Sequence, residues 1–184
     1  IDLRGNVVAF GGRVLDDSKP KYINTGDTPV YKKGRELFAL NLAKNGNNGK
    51  LILCEGYMDV IALHQAGYEN AISTSGTALT PEQVSLISRY ADEVALCFDS
   101  DEAGQKAAMR AVKMLGDVGV DVSILKVPGA KDPDEYIKRF DENTYEGCIR
   151  DNEDGPTWQM VIYDQIVQNK HLQEQSFENV LKQL

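Results

Sequence analysis

The chain has 184 residues, 42% hydrophobic and 26% charged, with a formal net charge of −8. That length can bury the core of one main domain with extensions, and the acidic balance by itself argues against a nucleic-acid binder. No signal peptide opens the sequence and no apolar run is long enough to cross a bilayer, so a soluble cytoplasmic protein is expected. The three cysteines form no CxxC pair and the two histidines lack ligand spacing, which argues against zinc within this stretch. Cys54 and Cys97 sit inside apolar runs and read as reduced core residues. A start at Ile1 and an end in helix-like "FENVLKQL" read as those of an excised fragment, and a monomer is expected.

The charge is unevenly spread. Residues 1–50 carry nine Lys and Arg against five Asp and Glu, residues 51–140 eight against fourteen, and residues 141–184 three against nine. A basic leader therefore precedes an acidic centre, a distribution that suits a polyanion on one side and a cation on the other, although the lysines could equally be a solvated face.

In chain order, "NVVAFGGRVL" is apolar and β-prone, and Gly11-Gly12 within it predicts a bulge or a close backbone approach. "DDSKPKYINTGDTP" reads as loop, and "GRELFALNLAKNG" as a helix with Leu37, Phe38 and Leu40 available for burial. "NGNNG" at 45–49 is the best boundary. Strands are predicted at 51–54, 70–73, 93–98 and 120–127, and helices at 57–66, 81–90, 101–116 and 133–140. Short connections between alternating elements predict an α/β domain with a parallel sheet flanked by helices. Residues 141–155 read as a polar linker. In 156–184, Trp158, Val161, Ile162 and Ile166 form a stripe at helical spacing, more suited to helix docking than to a cofactor.

Three acidic segments stand at or just beyond predicted strand ends: Glu55 in "LILCEGYMDV", Asp99 and Asp101 in "VALCFDSDEAG", and Asp132 and Asp134 in "AKDPDEY". Strand ends of a parallel sheet share one edge, where ligands bind. Carboxylates gathered there repel one another unless a cation neutralises them, and oxygen ligands suit Mg²⁺ or Mn²⁺. Each segment also has a plain reading. Asp99 and Asp132 suit helix N-caps, Asp101 a dipole-favoured acid, and Asp59 an ordinary first-turn acid. Gly56 would allow a tight turn, and Gly104 would leave room for a phosphate. Ser75-Gly76-Thr77 could bind phosphate through main-chain N–H groups or be a simple turn.

"EGYMDV", then "DSDEAG", then "DPDEY", each in its βα position, resemble the Toprim domain of primases, topoisomerases, some nucleases and recombination mediators. "GNVVAFGGRVL", "PKYIN" and "YKKGRELFAL" resemble the segment before Toprim in bacterial replicative primases of the DnaG type. The resemblance runs from about residue 4 to residue 140. It implies residues 1–45 as the end of a basic N-terminal subdomain, 46–140 as the Toprim catalytic domain and 141–184 as the start of a helical subdomain. Glu55 would be the acid/base or ion-binding glutamate. Asp99 and Asp101 would be metal-binding aspartates, Asp132 and Asp134 further acids of the site, and Asp59 a supporting acid. Arg13, Lys21, Asn24 and Lys33, with Lys32 beside it, match the basic groove that handles template or nucleotide.

The implied activity is DNA-templated synthesis of short RNA primers from nucleoside triphosphates with Mg²⁺ or Mn²⁺, by two ions roughly 3.5–4 Å apart. Implied partners are a single-stranded DNA template, nucleoside triphosphates, regulatory nucleoside polyphosphates as competitors, and the replicative helicase through a C-terminal region outside this chain. The family's zinc-binding domain also lies outside it. Other Toprim phosphodiester enzymes would use the same acids, but a topoisomerase needs a tyrosine nucleophile. A haloacid-dehalogenase-like phosphatase would place its D-x-D first in the domain, and a non-catalytic Toprim module would not need the full acid set.

Overall fold

A computed structural model describes residues 1–14, 18–125 and 135. The predicted helix at 133–140, the linker at 141–155 and the Trp158 stripe lie outside the described residues, Glu135 apart. A two-stranded antiparallel hairpin pairs β1 (Gly11–Arg13) with β2 (Tyr22–Asn24). After the short helix α1 (Leu40–Ala43), strand and helix alternate: β3 (Lys50–Cys54), α2 (Tyr57–Gln65), β4 (Ala71–Ser73), α3 (Pro81–Ile87), β5 (Glu93–Cys97), α4 (Glu102–Gly116) and β6 (Asp121–Ile124). The four later strands form a parallel sheet in the order β4-β3-β5-β6.

Period-two alternation sends the central strands into two cores. Leu51, Leu53, Val94 and Leu96 pack with Leu40 of α1, Val84 and Ile87 of α3, and Ala108, Ala111 and Leu115 of α4. Ile52, Cys54, Ala95 and Cys97 pack with Val60 and Leu63 of α2. A parallel sheet covered on both faces needs apolar residues at every position. That is why these strands read as unbroken apolar runs. Among the described residues, no helix is long and apolar enough to cross a membrane.

Two leader elements differ from the sequence reading. Tyr22–Asn24, read as loop, is a strand because Gly11–Arg13 pairs with it, Gly11 opposite Asn24 and Arg13 opposite Tyr22. The helix expected over 34–46 shrinks to Leu40–Ala43. Phe38 exchanges main-chain hydrogen bonds with Ser73 of edge strand β4, at 2.9 and 3.2 Å, and Ala39 then turns through φ 65°. Pairing to an open sheet edge satisfies backbone groups that a helix would otherwise use. The 45–49 segment is a packed turn, with the Asn47 side-chain amide donating to the Tyr90 carbonyl at 2.9 Å.

Gln83 fastens the leader to the sheet. It is fully buried and completes a capping box with Thr80 at the start of α3. Its Nε2 donates to the carbonyls of Lys33 at 3.2 Å and Glu36 at 2.8 Å.

Candidate active site

β3 and β5 are neighbours in register, with Cys54 opposite Cys97, so the residues that follow them emerge side by side. Glu55 Oε1 accepts a hydrogen bond from the Asp99 main-chain N–H at 3.2 Å. Asp101 caps α4, its Oδ1 accepting from the Gly104 N–H at 2.9 Å. The cap role therefore falls to Asp101 and not to Asp99. A cap bond uses one oxygen of a carboxylate and leaves the second, and the helix dipole favours negative charge at this end.

Gly104 is the hinge of this arrangement, and its role differs from that expected. A Cβ there would collide with the Asp99 main-chain carbonyl and lie 2.9 Å from Glu55 Oε1. The missing side chain lets α4 press against the strand ends; it does not open space for a phosphate. Gly56 has an ordinary extended conformation, φ −109° and ψ 154°. Its value is room, since a Cβ would stand 3.1 Å from Asp59 Oδ2. Asp59 is buried at 8% exposure and folds back on the start of its own helix, as a first-turn acid does.

The loop after β4 is committed to holding itself and Glu55. The Gly76 N–H donates to the Glu55 carbonyl at 2.9 Å. Thr74 and Thr77 exchange hydroxyl-to-carbonyl bonds at 2.6 and 2.8 Å, and Ser75 and Gly76 both take positive φ, 59° and 73°. This is the turn reading of Ser75-Gly76-Thr77, and its Gly76 N–H is not open to a phosphate.

Glu55, Asp99 and Asp101 thus share one edge. Among the described residues, no three His, Cys, Asp or Glu side chains close on one point as an ion cage. Asp132 and Asp134 lie outside the described residues. The donor set at the edge is carboxylate oxygen from two adjacent strand ends, which fits a hard divalent cation better than a soft one. Behind it, the contact with the Cys97 thiol and full burial push the Cys54 thiol well above its usual range.

The basic residues lie on the hairpin and the loop beyond it. Arg13 Cζ and Lys21 Nζ each stand 5.8 Å from the centre of the Tyr22 ring, a cation–π spacing. Asn24 Oδ1 would be 2.9 Å from a Cβ on Gly11, the close approach expected of that glycine. The Lys32 ammonium pairs with Asp27 at 3.6 Å. Lys33 binds the same carboxylate through its main-chain N–H at 3.0 Å. That bond, and then the Lys32 charge, hold the Asp27 carboxyl below its usual range.

The sequence reading missed what joins hairpin to sheet. Tyr57, two residues beyond Glu55, donates its hydroxyl to the Gly12 carbonyl at 3.3 Å. Its ring meets Tyr22 edge-on at 5.5 Å and Phe38 at 5.8 Å. Burial, with Tyr22 beside it, raises the Tyr57 pKa, and the Arg13 charge opposes the rise. The only signal in the sequence is an aromatic residue directly after Glu55-Gly56 in a chain with aromatics in its leader. A cavity of about 230 Å³ lies at this junction, lined by Phe10, Asn24, Glu36, Phe38 and Tyr57 among others.

Known proteins match the leader and the sheet separately. Residues 1–44 match the family model for the N-terminal domain of the DNA primase catalytic core, and residues 52–137 match the Toprim-like model. The DNA primase of Clostridium acetobutylicum is 49% identical over 139 residues, which are 75% of this chain and 23% of that protein. A crystal structure of the Aquifex aeolicus primase, comprising its zinc-binding and RNA polymerase domains, aligns with a TM-score of 0.70 and 44% identity, over 76% of this chain and 35% of that one. A DnaG primase catalytic domain solved bound to single-stranded DNA aligns at TM-score 0.68 and 36% identity, over 75% of this chain and 45% of the other. This chain therefore spans about a quarter of the Clostridium relative's length. With the leader and the sheet each matched, and the relatives agreeing in sequence and fold, the chain belongs to the bacterial DnaG-type primases, as a Toprim-containing part of their catalytic core.

Proposed function

We propose that this chain carries the catalytic centre of an enzyme that makes short RNA primers on a single-stranded DNA template. The observation that carries the reading is the bond between Glu55 Oε1 and the Asp99 N–H. It fixes two acids at one edge, beside a basic hairpin that Tyr57 ties to α2. The relative solved with single-stranded DNA supports the choice of template. In this reading residues 1–45 close a basic subdomain, 46–140 form the catalytic domain and 141–184 begin a helical one.

Primer extension joins a 3′-hydroxyl to the α-phosphate of a nucleoside triphosphate and releases pyrophosphate. Arg13, Lys21 and Asn24, with Lys32 or Lys33, would hold the triphosphate or the template backbone. Arg13 Nε is buried and finds no hydrogen-bond partner among the described residues. A buried donor left unpaired costs roughly 1–3 kcal/mol, and an anionic ligand would relieve that cost. Asp99 and Asp101, with Glu55, would hold the divalent cation, with Asp132 and Asp134 completing the set and Asp59 supporting it. When bound, Mg²⁺ or Mn²⁺ supplies charge that activates the attacking oxygen and stabilises the leaving one. Glu55 is held by the Asp99 amide and backed by the 73–77 turn, so its carboxylate needs little reorganisation to act on a proton or an ion. Most of the acceleration then comes from positioning and fixed charge. Other nucleoside polyphosphates would compete for the same groups. A C-terminal region beyond this chain would meet the replicative helicase.

The test is templated incorporation of ribonucleotides by the full-length protein. Primers that appear with the parent protein and vanish with Glu55→Gln are expected. Cleavage of nucleic acid without primer synthesis would overturn the reading in favour of a Toprim nuclease or topoisomerase.

A further inference from the structure

We propose that Cys54 and Cys97 form a reversible disulfide that clips together the two strand ends carrying the catalytic acids. The two residues are register partners on neighbouring parallel strands. Both side chains lie on the sheet face that α2 covers, and both are free thiols. Adjacent strands stand about 4.8 Å apart, inside the Cα separation of roughly 4.4–6.8 Å that a disulfide accepts. A bridge holds its Cβ atoms about 3.8 Å apart, less than the strand spacing, so it needs side-chain rotation and a slight drawing together of the strand ends, not a change of fold. The catalytic reading given above uses neither thiol.

The oxidant is hydrogen peroxide, small enough to enter where the strands end. Cys97, at 4% exposure against 0% for Cys54, is the less enclosed. Its sulfur attacks peroxide, the O–O bond breaks, one water leaves and a sulfenic acid remains. The Cys54 sulfur then displaces the hydroxyl group, which leaves as a second water while the S–S bond forms. Two thiols lose two electrons and two protons in total, and one peroxide becomes two waters. Burial slows both steps, so the bridge forms under excess oxidant, through opening of the strand ends. A bridge between directly opposed strand positions is strained, and strained disulfides are readily reduced. Disulfides inside cells are transient because the thiol pool there reduces them.

The consequence falls on the site. Glu55 directly follows Cys54, and Asp99 stands two residues past Cys97. Drawing the strand ends together displaces the 3.2 Å contact between Glu55 and the Asp99 amide. This consequence rests on the primase reading; the bridge itself does not.

The test treats the intact protein, carrying Cys148→Ser to remove the third thiol of this stretch, with hydrogen peroxide. Free thiols are then alkylated under denaturing conditions and the peptides mapped by mass spectrometry. A linked Cys54–Cys97 peptide pair, two hydrogens lighter than the separate thiols and lost on reduction, is expected. Recovery of both as alkylated thiols, as sulfinic or sulfonic acids, or joined to other cysteines overturns the proposal. Primer synthesis should fall about tenfold or more on oxidation, as sub-ångström to ångström displacements do, and return with a thiol reductant. Cys97→Ala and, separately, Cys54→Val should each remove the part of the peroxide effect that tracks with the linked peptide, whatever cysteines outside this stretch contribute. A bridge that forms without changing activity removes the regulatory role. Absence of primer synthesis before oxidation counts against the function and leaves the peptide result standing.

Discussion

Glu55 Oε1 accepts a hydrogen bond from the main-chain N–H of Asp99 at 3.2 Å, across 44 positions of sequence. The two residues follow β3 and β5, whose five-residue register brings every pair from Lys50–Glu93 to Cys54–Cys97 into step. An ion pair at the far end, Lys50 Nζ to Glu93 at 3.0 Å, marks the same alignment.

Glu55→Gln keeps an amide oxygen able to accept the Asp99 N–H and removes only the charge. In the intact enzyme, primer synthesis should drop by at least about 100-fold with the thermal midpoint unchanged. Asp99→Asn should do the same. Primer yield at the parent level from either variant, measured by gel-resolved ribonucleotide incorporation, would sink the assignment of these acids.

Asp101 has two separable duties. Asn caps helices as well as Asp does, so Asp101→Asn should keep α4 intact yet weaken Mg²⁺ or Mn²⁺ binding by calorimetry. Asp101→Ala should lose both, with a stability cost of about 1 kcal/mol. Equal ion affinity in Asp101→Asn and the parent would leave Asp101 as a cap and nothing more.

Gly104→Ala reverses the usual sign. Within a helix Ala is favoured over Gly by about 1 kcal/mol. Here the new Cβ meets the Asp99 carbonyl and Glu55 Oε1. Chemical denaturation should show a loss of about 1–3 kcal/mol, the scale of overpacking. Primer synthesis should fall as well, since the clash moves both acids. A stabilised variant with full activity would contradict the packing described.

Glu36 gives a pH signature. Burial raises its carboxyl pKa above the ordinary 4.5, and the Asp2 charge adds to the rise. The native state therefore holds its proton to higher pH than the unfolded chain. Stability from this group is present below the ordinary value and is lost as pH rises through the folded one. Glu36→Gln should melt slightly higher than the parent near pH 7 and no higher near pH 4, by scanning calorimetry. The gain is small because the side chain is partly solvated. A gain of equal size at both pH values would show that charge burial is not its source.

Much of the catalytic half could be read from the chain alone. A sheet covered on both faces leaves unbroken apolar runs, so β3, β4 and β5 were placed to within a residue at each end, and Glu55, Asp99 and Asp101 fell at strand ends by position. A helix from residue 81 was also read from the chain, whereas the capping box of Thr80 and Gln83 that starts it is seen only in the structure. Tertiary structure decided which acid is the cap, because Asp99 turns its amide to Glu55 while Asp101 reaches Gly104. It also made a strand of Tyr22–Asn24 and shortened the leader helix at Phe38. In each of these places the deciding partner is distant in sequence: Glu55 for Asp99, Gly11–Arg13 for Tyr22–Asn24, Ser73 for Phe38. Periodicity and turn chemistry report a residue's own neighbourhood, whereas an open sheet edge or an unpaired amide is satisfied by whatever the fold brings to it.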